Sequence, residues 1–209
     1  MYVPKHFAVD DEQDIRQFVE ATRLGALISH GPDGLFATHI PWLVDTHVSI
    51  GATLTAHVAR ANPHWKMIGG GTDALVIFTG ANAYITPGWY PSKQDHGKIV
   101  PTWNYQAVHL YGHVEALQNS EDIETAIRRL SDKMEHKRET PWSIDDAPRN
   151  YIDKMISAIV GLKFTITNVE AKYKLDQNKA DQDRLGAAKG LSAEPSDAAQ
   201  AIAALMGRL

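Results

Sequence analysis

Cysteine is absent from the sequence of 209 residues. This absence excludes disulfide bonds, thiolate nucleophiles and iron–sulfur ligation, and it fits the reducing conditions of the cytoplasm. The N-terminal stretch MYVPKHFAVDDEQD has no apolar signal-peptide core, and no run approaches the ~20 apolar residues of a membrane-spanning helix. We therefore expect a soluble, cytoplasmic protein without a membrane partner.

An excess of basic residues is also lacking. The formal net charge is -4 at pH 7, with 21 Lys and Arg residues against 25 Asp and Glu residues. No overall positive field would therefore attract DNA or an acidic membrane surface. Hydrophobic residues make up 44% and charged residues 22% of the chain, which is typical of a folded globular protein with a substantial core.

Several cofactor and catalytic motifs are missing as well. The chain has no GxxxxGK[ST] loop, and the glycines at 69–71 precede a predicted strand, the reverse of a dinucleotide-binding loop. No serine has the strand–elbow–helix setting of a hydrolase nucleophile. Among the 10 histidines, His109 and His113 lie on one predicted strand at a separation of ~13 Å, too far to share one ion. We expect no dedicated metal site, and no residue is assigned a catalytic role.

Hydrophobic periodicity predicts antiparallel strands joined by short turns, with helices at the two ends and in one insertion. A helix over 10–24, capped by Asp10 or Asp11, precedes a hairpin whose turn is Gly31-Pro32-Asp33-Gly34. Further strands are expected at 52–59, on each side of Gly80, at 106–117 and at 162–170, and further helices at 62–68, 120–137 and 148–160. The pattern is mainly β with peripheral helices (α+β) and favours a Greek-key barrel.

We expect one domain over residues 1–191, with a helical insertion at about 120–160, followed by a short helical tail over 192–209. Pro195 marks the start of the tail helix, which carries an apolar stripe. Because an isolated helix of that length is marginal in water, we expect it to dock on its own domain or on a partner subunit. The stripe consists of Ala198, Ile202, Leu205, Met206 and Leu209.

The segment 82–111, NAYITPGWYPSKQDHGKIVPTWNYQAVHLY, combines aromatic rings with prolines, hydroxyl groups and lysines. Flat rings with polar handles, set beside cations on a stiffened backbone, suit a flat, polar, anionic organic ligand. The alternative is a pair of strands joined by an irregular loop whose aromatics only stabilise the core. The candidate ligand-binding residues of the segment are Thr86, Trp89, Tyr90, Lys93, Lys98, Thr102, Trp103 and Asn104.

A second group of candidate residues surrounds the predicted helix start at Asn62-Pro63. His57, Arg60, Asn62 and Lys66 bring cations and polar groups to this point. A helix N-terminus with an adjacent arginine favours phosphate binding, although Asn62 can also satisfy the free N–H groups itself. A third group lies in KYKLDQNKADQDR, from Lys172 to Arg184, where Lys174 and Gln177 are placed to reach a ligand's phosphate or carbonyl groups. The alternative for this charged run is a solvated exit from the domain.

Several multi-residue blocks resemble one protein family in their sequence and in their order. These blocks are MYVPKHF from Met1, HVARANPHW from His57, AYITPGWYPSK from Ala83, GKIVPTWNYQAVHLYG from Gly97, ETPWSIDDAP from Glu139, IVGLKFTIT from Ile159 and KYKLDQNKADQDRLG from Lys172. Over residues 1–191 the chain thereby resembles the FMN-binding negative transcriptional regulators. The resemblance implies an FMN-binding split β-barrel, pyridoxamine-oxidase-like, that works as a homodimer with FMN at the subunit interface.

With FMN as the expected cofactor, the candidate residues divide between its phosphate and its ring. Arg60, Asn62 and Lys66 are expected at the phosphate, helped by Lys93 or Lys98. The ring is expected against Trp89, Tyr90 and Trp103, with Thr86, Thr102 and Asn104 at its edge.

Three functions stay open for such a protein. The first is a flavin-dependent redox protein of unknown substrate, and the second is a transcriptional regulator that uses flavin as a sensor. The third is a haem-handling split barrel with His109 or His57 as the axial ligand. Direct DNA binding has little support, because a proline-rich connection separates the helices at 120–137 and 148–160 where a helix-turn-helix needs a tight turn.

Overall fold

The computed structural model describes residues 1–208 and arranges the strands within them in one sheet. The strands are β1 (Leu24–Gly31), β2 (Gly34–Pro41), β3 (Leu43–Val44), β4 (Thr53–Ala59), β5 (Thr72–Ile85), β6 (Thr102–Leu117) and β7 (Ile159–Lys174). Their order across the sheet is β2-β1-β5-β6-β7-β4-β3. The predicted fold class, mainly β with peripheral helices, is confirmed.

Seven α-helices flank the described strands, and short 3-10 turns occur at Lys5–Phe7, Pro87–Trp89 and Ile144–Asp146. The helices are α1 (Glu12–Thr22), α2 (His64–Ile68), α3 (Ser92–His96), α4 (Ser120–Glu135), α5 (Arg149–Ser157), α6 (Asp181–Ser192) and α7 (Asp197–Met206). Asp11 caps the first of them, since its carboxylate accepts from the Asp14 N–H at 2.8 Å. No helix within residues 1–208 has the length and apolar character needed to span a bilayer.

The chain divides into two compact units. Unit 1 contains residues 1–15 and 79–109 together with the described residues from Glu170 onward, and unit 2 contains residues 16–78 and 110–169. Strands β5, β6 and β7 each have residues in both units.

Unit 2 contains the hairpin that the sequence predicts. Gly31 and Gly34 are partners in the β1–β2 register, so Pro32 and Asp33 form a two-residue turn, and Gly34 takes a φ of 105° that favours glycine. Pro41 ends β2, which is an edge strand of the sheet. The large, fully buried side chains of the unit include Leu27, Trp42, Leu54, Phe78 and Phe164.

Unit 1 has its own apolar core, and the C-terminal helix α7 contributes to it. Ile202 and Met206 are completely buried there, beside Ile85, Tyr90 and Leu191. The predicted apolar stripe is therefore confirmed for Ile202 and Met206, while Ala198 and Leu205 are half-buried and Leu209 lies outside the described residues. The tail helix docks on its own unit.

The sequence prediction lacked α3, α6 and the separate short strand β3, and it divided one strand in two. The strands expected on each side of Gly80 form one continuous strand, β5, because glycine permits a break in a strand without requiring one. Helix α6 was absent from the prediction because Gly186 and Gly190 lower its helix propensity. A Cβ atom on Gly190 would lie 2.3 Å from the Trp89 ring, so the packing of this ring leaves no room for a side chain at position 190.

Candidate functional site

An exposed aromatic surface lies on β5 and β6 of unit 1. Tyr84 is 48% exposed and Trp103 is 51% exposed, and their ring centroids lie 6.1 Å apart in an edge-to-face arrangement. The Trp103 Nε1–H donates to Asn82 Oδ1 at 3.0 Å, which fixes the orientation of the indole. The turn Pro87–Trp89 begins after Thr86, whose hydroxyl accepts from the Gly88 N–H at 3.3 Å.

These rings line a cavity of about 320 Å³. Helices α6 and α7 and the connection between them supply its other wall. The lining residues are Asn82, Ala83, Tyr84, Trp89, Trp103, Leu191, Glu194, Ser196 and Ala199. Of the predicted ring-binding residues, the structure brings Trp89 and Trp103 together here. Asn82 and Tyr84 belong to the segment 82–111 but were not candidate residues, and Glu194 was not singled out by the sequence.

Tyr90 lies in the interior of unit 1, with 2% of its surface exposed. Its hydroxyl donates to an Asp176 carboxylate oxygen at 2.7 Å, and the Lys179 ammonium lies 5.2 Å from the centre of its ring. Burial, together with the neighbouring Asp176, raises the pKa of the Tyr90 phenol. In this structure Tyr90 therefore anchors the loop after β7 to the aromatic segment.

Lys174 gathers three of the predicted polar groups into one network. Its ammonium donates to Thr102 Oγ1 at 2.5 Å, to the Trp103 carbonyl at 2.7 Å and to Asn104 Oδ1 at 3.4 Å. Burial lowers the pKa of Lys174, while the nearby Asp176 acts in the opposite direction. Asn104 is itself completely buried, and its amide nitrogen lies 3.5 Å from the Met206 sulfur. The network holds a positive charge directly behind the Trp103 backbone.

The charged run from Lys172 to Arg184 has four buried charged residues, so it is more than a solvated exit from the domain. They are Lys172, Asp176, Asp183 and Arg184. Asp183 is 3% exposed and accepts from both the backbone N–H of Ser92, at 3.0 Å, and its hydroxyl, at 2.6 Å. Gln177 closes a turn, since its Oε1 accepts from Leu175 N–H at 2.7 Å and its Nε2 donates to the Tyr173 carbonyl at 2.6 Å. The predicted phosphate helpers Lys93 and Lys98 are exposed.

In unit 2, two of the predicted phosphate residues flank one indole ring. The Arg60 guanidinium lies 5.8 Å and the Lys66 ammonium 5.7 Å from the centre of the Trp65 ring. Arg60 donates from Nε to the Ser157 carbonyl and from a terminal nitrogen to the Ile159 carbonyl, each at 2.8 Å. These bonds fix the guanidinium while Lys66 stays exposed.

Asn62 and His64 tie the start of α2 to the β1–β2 hairpin. Asn62 Oδ1 accepts from the His64 N–H at 2.9 Å. The two ring nitrogens of His64, which is completely buried, lie 2.8 Å from Ser29 Oγ and 2.8 Å from Thr38 Oγ1. Helix α2 has five residues and its N-cap is Pro63. Asn62 satisfies the N–H of the first helical residue, His64, which agrees in part with the alternative that Asn62 serves the helix N-terminus itself.

Burial affects the pKa of histidine side chains in both units. Burial lowers the pKa of His64, of the half-buried His57 and of the half-buried His109, so each imidazole is neutral at pH 7. His64 stands within the block HVARANPHW, beside the predicted phosphate residues. Within residues 1–208, no group of three or more His, Asp or Glu side chains is arranged to hold a metal ion.

Comparison with solved structures identifies the fold. The FAD and haem binding protein from Mycobacterium smegmatis superposes with a TM-score of 0.61 at 16% identity, covering 84% of this chain and 78% of that one. The flavocytochrome Anf3 from Azotobacter vinelandii gives a TM-score of 0.59 at 15% identity, covering 82% and 72%. These likenesses confirm the predicted fold, a split barrel that is mainly β with peripheral helices.

Comparison with protein sequences identifies the family. The chain is 34% identical to the protease synthase and sporulation protein PAI 2 of Bacillus subtilis over 209 residues, which cover 99% of this chain and 96% of that protein. It is 29% identical to an uncharacterized protein of Emericella nidulans, covering 90% and 89%. Residues 1–168 match the family described as "Putative FMN-binding domain". The chain therefore belongs to this FMN-binding family, and FMN is its cofactor.

Proposed function

We propose that the protein is a homodimeric flavoprotein whose bound FMN serves redox chemistry on a small substrate. The observation that carries the proposal is the pair of cations on Trp65, which offers two positive charges on the segment that the sequence assigns to the FMN phosphate. FMN supplies hydride or single-electron transfer when it is bound, and the protein supplies position and electrostatics.

The donor groups around Trp65 suit a phosphate. Backbone bonds hold Arg60 in place, and its remaining N–H groups are available for charge-assisted bonds to phosphate oxygens. Lys66 adds an exposed ammonium, and its stem is free to move onto the same anion. The fit depends on these cations and does not need the N-terminus of the short helix α2.

The ring of FMN is assigned to the exposed indole of Trp103, with the hydroxyl groups of Thr86 and Thr102 at its edge. The Asn82 bond pre-orients this indole, and the Lys174 ammonium keeps a positive charge behind it. A positive charge near a flavin ring favours its reduced, anionic form. We expect the fluorescence of bound FMN to be quenched by the indole, and bright fluorescence from stoichiometrically bound FMN would contradict this assignment.

Titration of FMN into phosphate-site variants tests the first part of the proposal. We expect Lys66→Ala to weaken FMN binding by about 10-fold, because one charge-assisted contact contributes ~1.5–3 kcal/mol. The exposed Lys154 provides a matched control, Lys154→Ala, which should leave the affinity unchanged. Arg60→Ala should weaken binding further, but it also removes two bonds to backbone carbonyls, so its thermal stability must be measured in parallel. Unchanged affinity in both Lys66→Ala and Arg60→Ala would refute the phosphate assignment.

The homodimer is supported by the family resemblance and by apolar surface. Leu35 is 75% exposed on the edge strand β2, and Ile50 is 70% exposed. Exposed edges and apolar side chains favour association with another chain. Light scattering across a dilution series, with and without FMN, should show a dimer that FMN stabilises by mass action. A stable monomer that binds FMN tightly would contradict the dimeric site.

Regulation of transcription is proposed as the alternative use of the same flavin. Residues 136–148 separate α4 from α5, which is longer than the short turn of a helix-turn-helix, so a regulatory effect would not require direct DNA contact. Addition of NADH or NADPH under anaerobic conditions distinguishes the two uses. Bleaching of the flavin supports the enzyme, whereas unbleached flavin supports the sensor.

Haem binding is the second candidate function. The two similar structures named above are a flavocytochrome and a protein that binds FAD and haem. In this chain the half-buried His57 has a neutral imidazole, the form that ligates haem iron. Absorbance of the purified protein separates the candidates, because flavin and haem absorb in distinct bands. A haem band that is lost in His57→Ala would support this second function.

A further inference from the structure

The cavity beside Trp103 carries a charge that FMN does not explain. Among the described residues that line it, Glu194 is the one residue with an ionisable acidic or basic side chain. Asn82 Oδ1 already accepts from the Trp103 indole, and Ser196 Oγ accepts from the Ala199 N–H. The lining therefore combines aromatic side chains with one acidic residue and no basic residue. The Lys174 ammonium behind the Trp103 backbone is not part of the lining, and its N–H groups donate to oxygen atoms of β6.

This combination disfavours anions and favours cations. A phosphate would be repelled by Glu194, whereas an ammonium group gains from the carboxylate and from the negative faces of the aromatic rings. Three rings line the cavity, and Tyr84 and Trp103 are set edge to face rather than stacked on each other. A box of aromatic rings with a nearby carboxylate is the arrangement that recognises alkylated ammonium groups.

We propose that this cavity binds a small organic cation, an alkylated or quaternary ammonium group on a compact apolar body. Its volume of about 320 Å³ limits the ligand to a compact molecule. The inference goes beyond the proposed function, because it concerns a second ligand and applies to the FMN-free protein. The flavin ring is assigned to the same Trp103 indole, so the two ligands should compete.

The wall that carries the negative charge comes from the C-terminal part of the chain. Leu191 ends the apolar face of α6, Glu194 stands in the connection, and Ala199 faces the cavity from α7. This part lies beyond residue 168, where the match to the FMN-binding family ends. Gly190 packs on the Trp89 ring and so fixes the third aromatic side chain of the box.

Calorimetric titration with two probes of the same shape tests the proposal. Choline carries the positive charge, and 3,3-dimethylbutan-1-ol has nearly the same shape without it. We expect choline to bind the full-length protein about 3- to 30-fold more tightly than the neutral alcohol, which is the range of a cation–π contact. The difference should be present in FMN-free protein, and saturation with FMN should weaken choline binding, because both ligands are assigned to the Trp103 indole.

Matched variants identify the groups that recognise the charge. Glu194→Gln should weaken choline binding without changing the binding of the neutral alcohol, and the exposed Glu139→Gln serves as its control. Trp103→Leu should abolish the preference for choline, while Trp103→Phe should retain part of it. Trp142 is 44% exposed in unit 2, so Trp142→Leu controls for the loss of an exposed indole.

Two outcomes would overturn the proposal. Equal affinity of FMN-free protein for choline and the neutral alcohol would show that the cavity does not recognise charge. Unchanged choline binding in both Glu194→Gln and Trp103→Leu would place the cation elsewhere. FMN titration of the same samples reports separately on the proposed function.

Discussion

Replacement of Gly190 by alanine tests the packing that builds the aromatic surface. A Cβ atom at this position would lie 2.3 to 2.4 Å from three atoms of the Trp89 ring. Carbon atoms in favourable contact are about 3.5–4.0 Å apart. The ring or the helix must therefore move by more than about 1 Å to accept the new methyl group. The same substitution in an exposed helix would be stabilising.

The expected effect is the difference between two opposing contributions. Alanine in place of glycine inside a helix stabilises by about 1 kcal/mol. Overpacking of a filled site costs ~1–3 kcal/mol. We therefore expect Gly190→Ala to lower the free energy of unfolding by up to about 2 kcal/mol in urea titrations. Stabilisation by about 1 kcal/mol would refute the contact with the indole.

A double-mutant cycle isolates the contact with the indole. In the Trp89→Ala background the ring is gone, so Gly190→Ala should become stabilising by about 1 kcal/mol, as helix propensity alone predicts. Gly186 provides the contrast, because a Cβ there would lie 2.3 Å from the Trp89 carbonyl oxygen, which Trp89→Ala keeps. Gly186→Ala should therefore stay destabilising in both backgrounds. Equal behaviour of the two glycines would contradict this geometry.

Elements with local signals could be predicted from the sequence, and elements that depend on tertiary partners could not. The β1–β2 hairpin needed only its Gly-Pro-Asp-Gly turn, and α1 needed only its acidic cap and apolar period. Helix α6 has a weak intrinsic pattern, and it is held by burial of Ala187 and Leu191 in the core of unit 1.

In the candidate site, too, the sequence shows the types of residue, whereas only the structure shows which residues contact each other. Aromatic composition drew attention to the segment that holds Trp103, and the rings of Tyr84 and Trp103 are exposed there. Composition could not show that the three N–H groups of Lys174 meet oxygen atoms of β6, or that Glu194 lies across the cavity. Those relations join residues distant in sequence, and only the fold determines them.

Two further predictions concern buried polar groups. Because burial lowers the pKa of His64 below 6.5, the unfolded chain binds more protons than the native protein near pH 6, and stability should fall as the pH decreases from 7 to 5. This histidine contributes at most about 1.4 kcal/mol per pH unit to the slope of the unfolding free energy against pH. His64→Gln should therefore reduce that slope when it is measured by urea titrations at several pH values. An equal slope in the variant would contradict a lowered pKa for His64. The last prediction concerns Asp183, which accepts two hydrogen bonds from Ser92 in a buried setting. Asp183→Ala leaves a buried N–H group and a buried hydroxyl without their acceptor, so it should lower the free energy of unfolding by ~2–5 kcal/mol. Ser92→Ala removes one donor and keeps the backbone bond, so its cost should be smaller. Asp181, whose side chain is 86% exposed, is the matched control, and Asp181→Ala should cost less than about 1 kcal/mol. If Asp183→Ala costs no more than Asp181→Ala, the run from Lys172 to Arg184 is a solvated exit after all, and the wall that α6 and α7 give to the cavity loses its anchor.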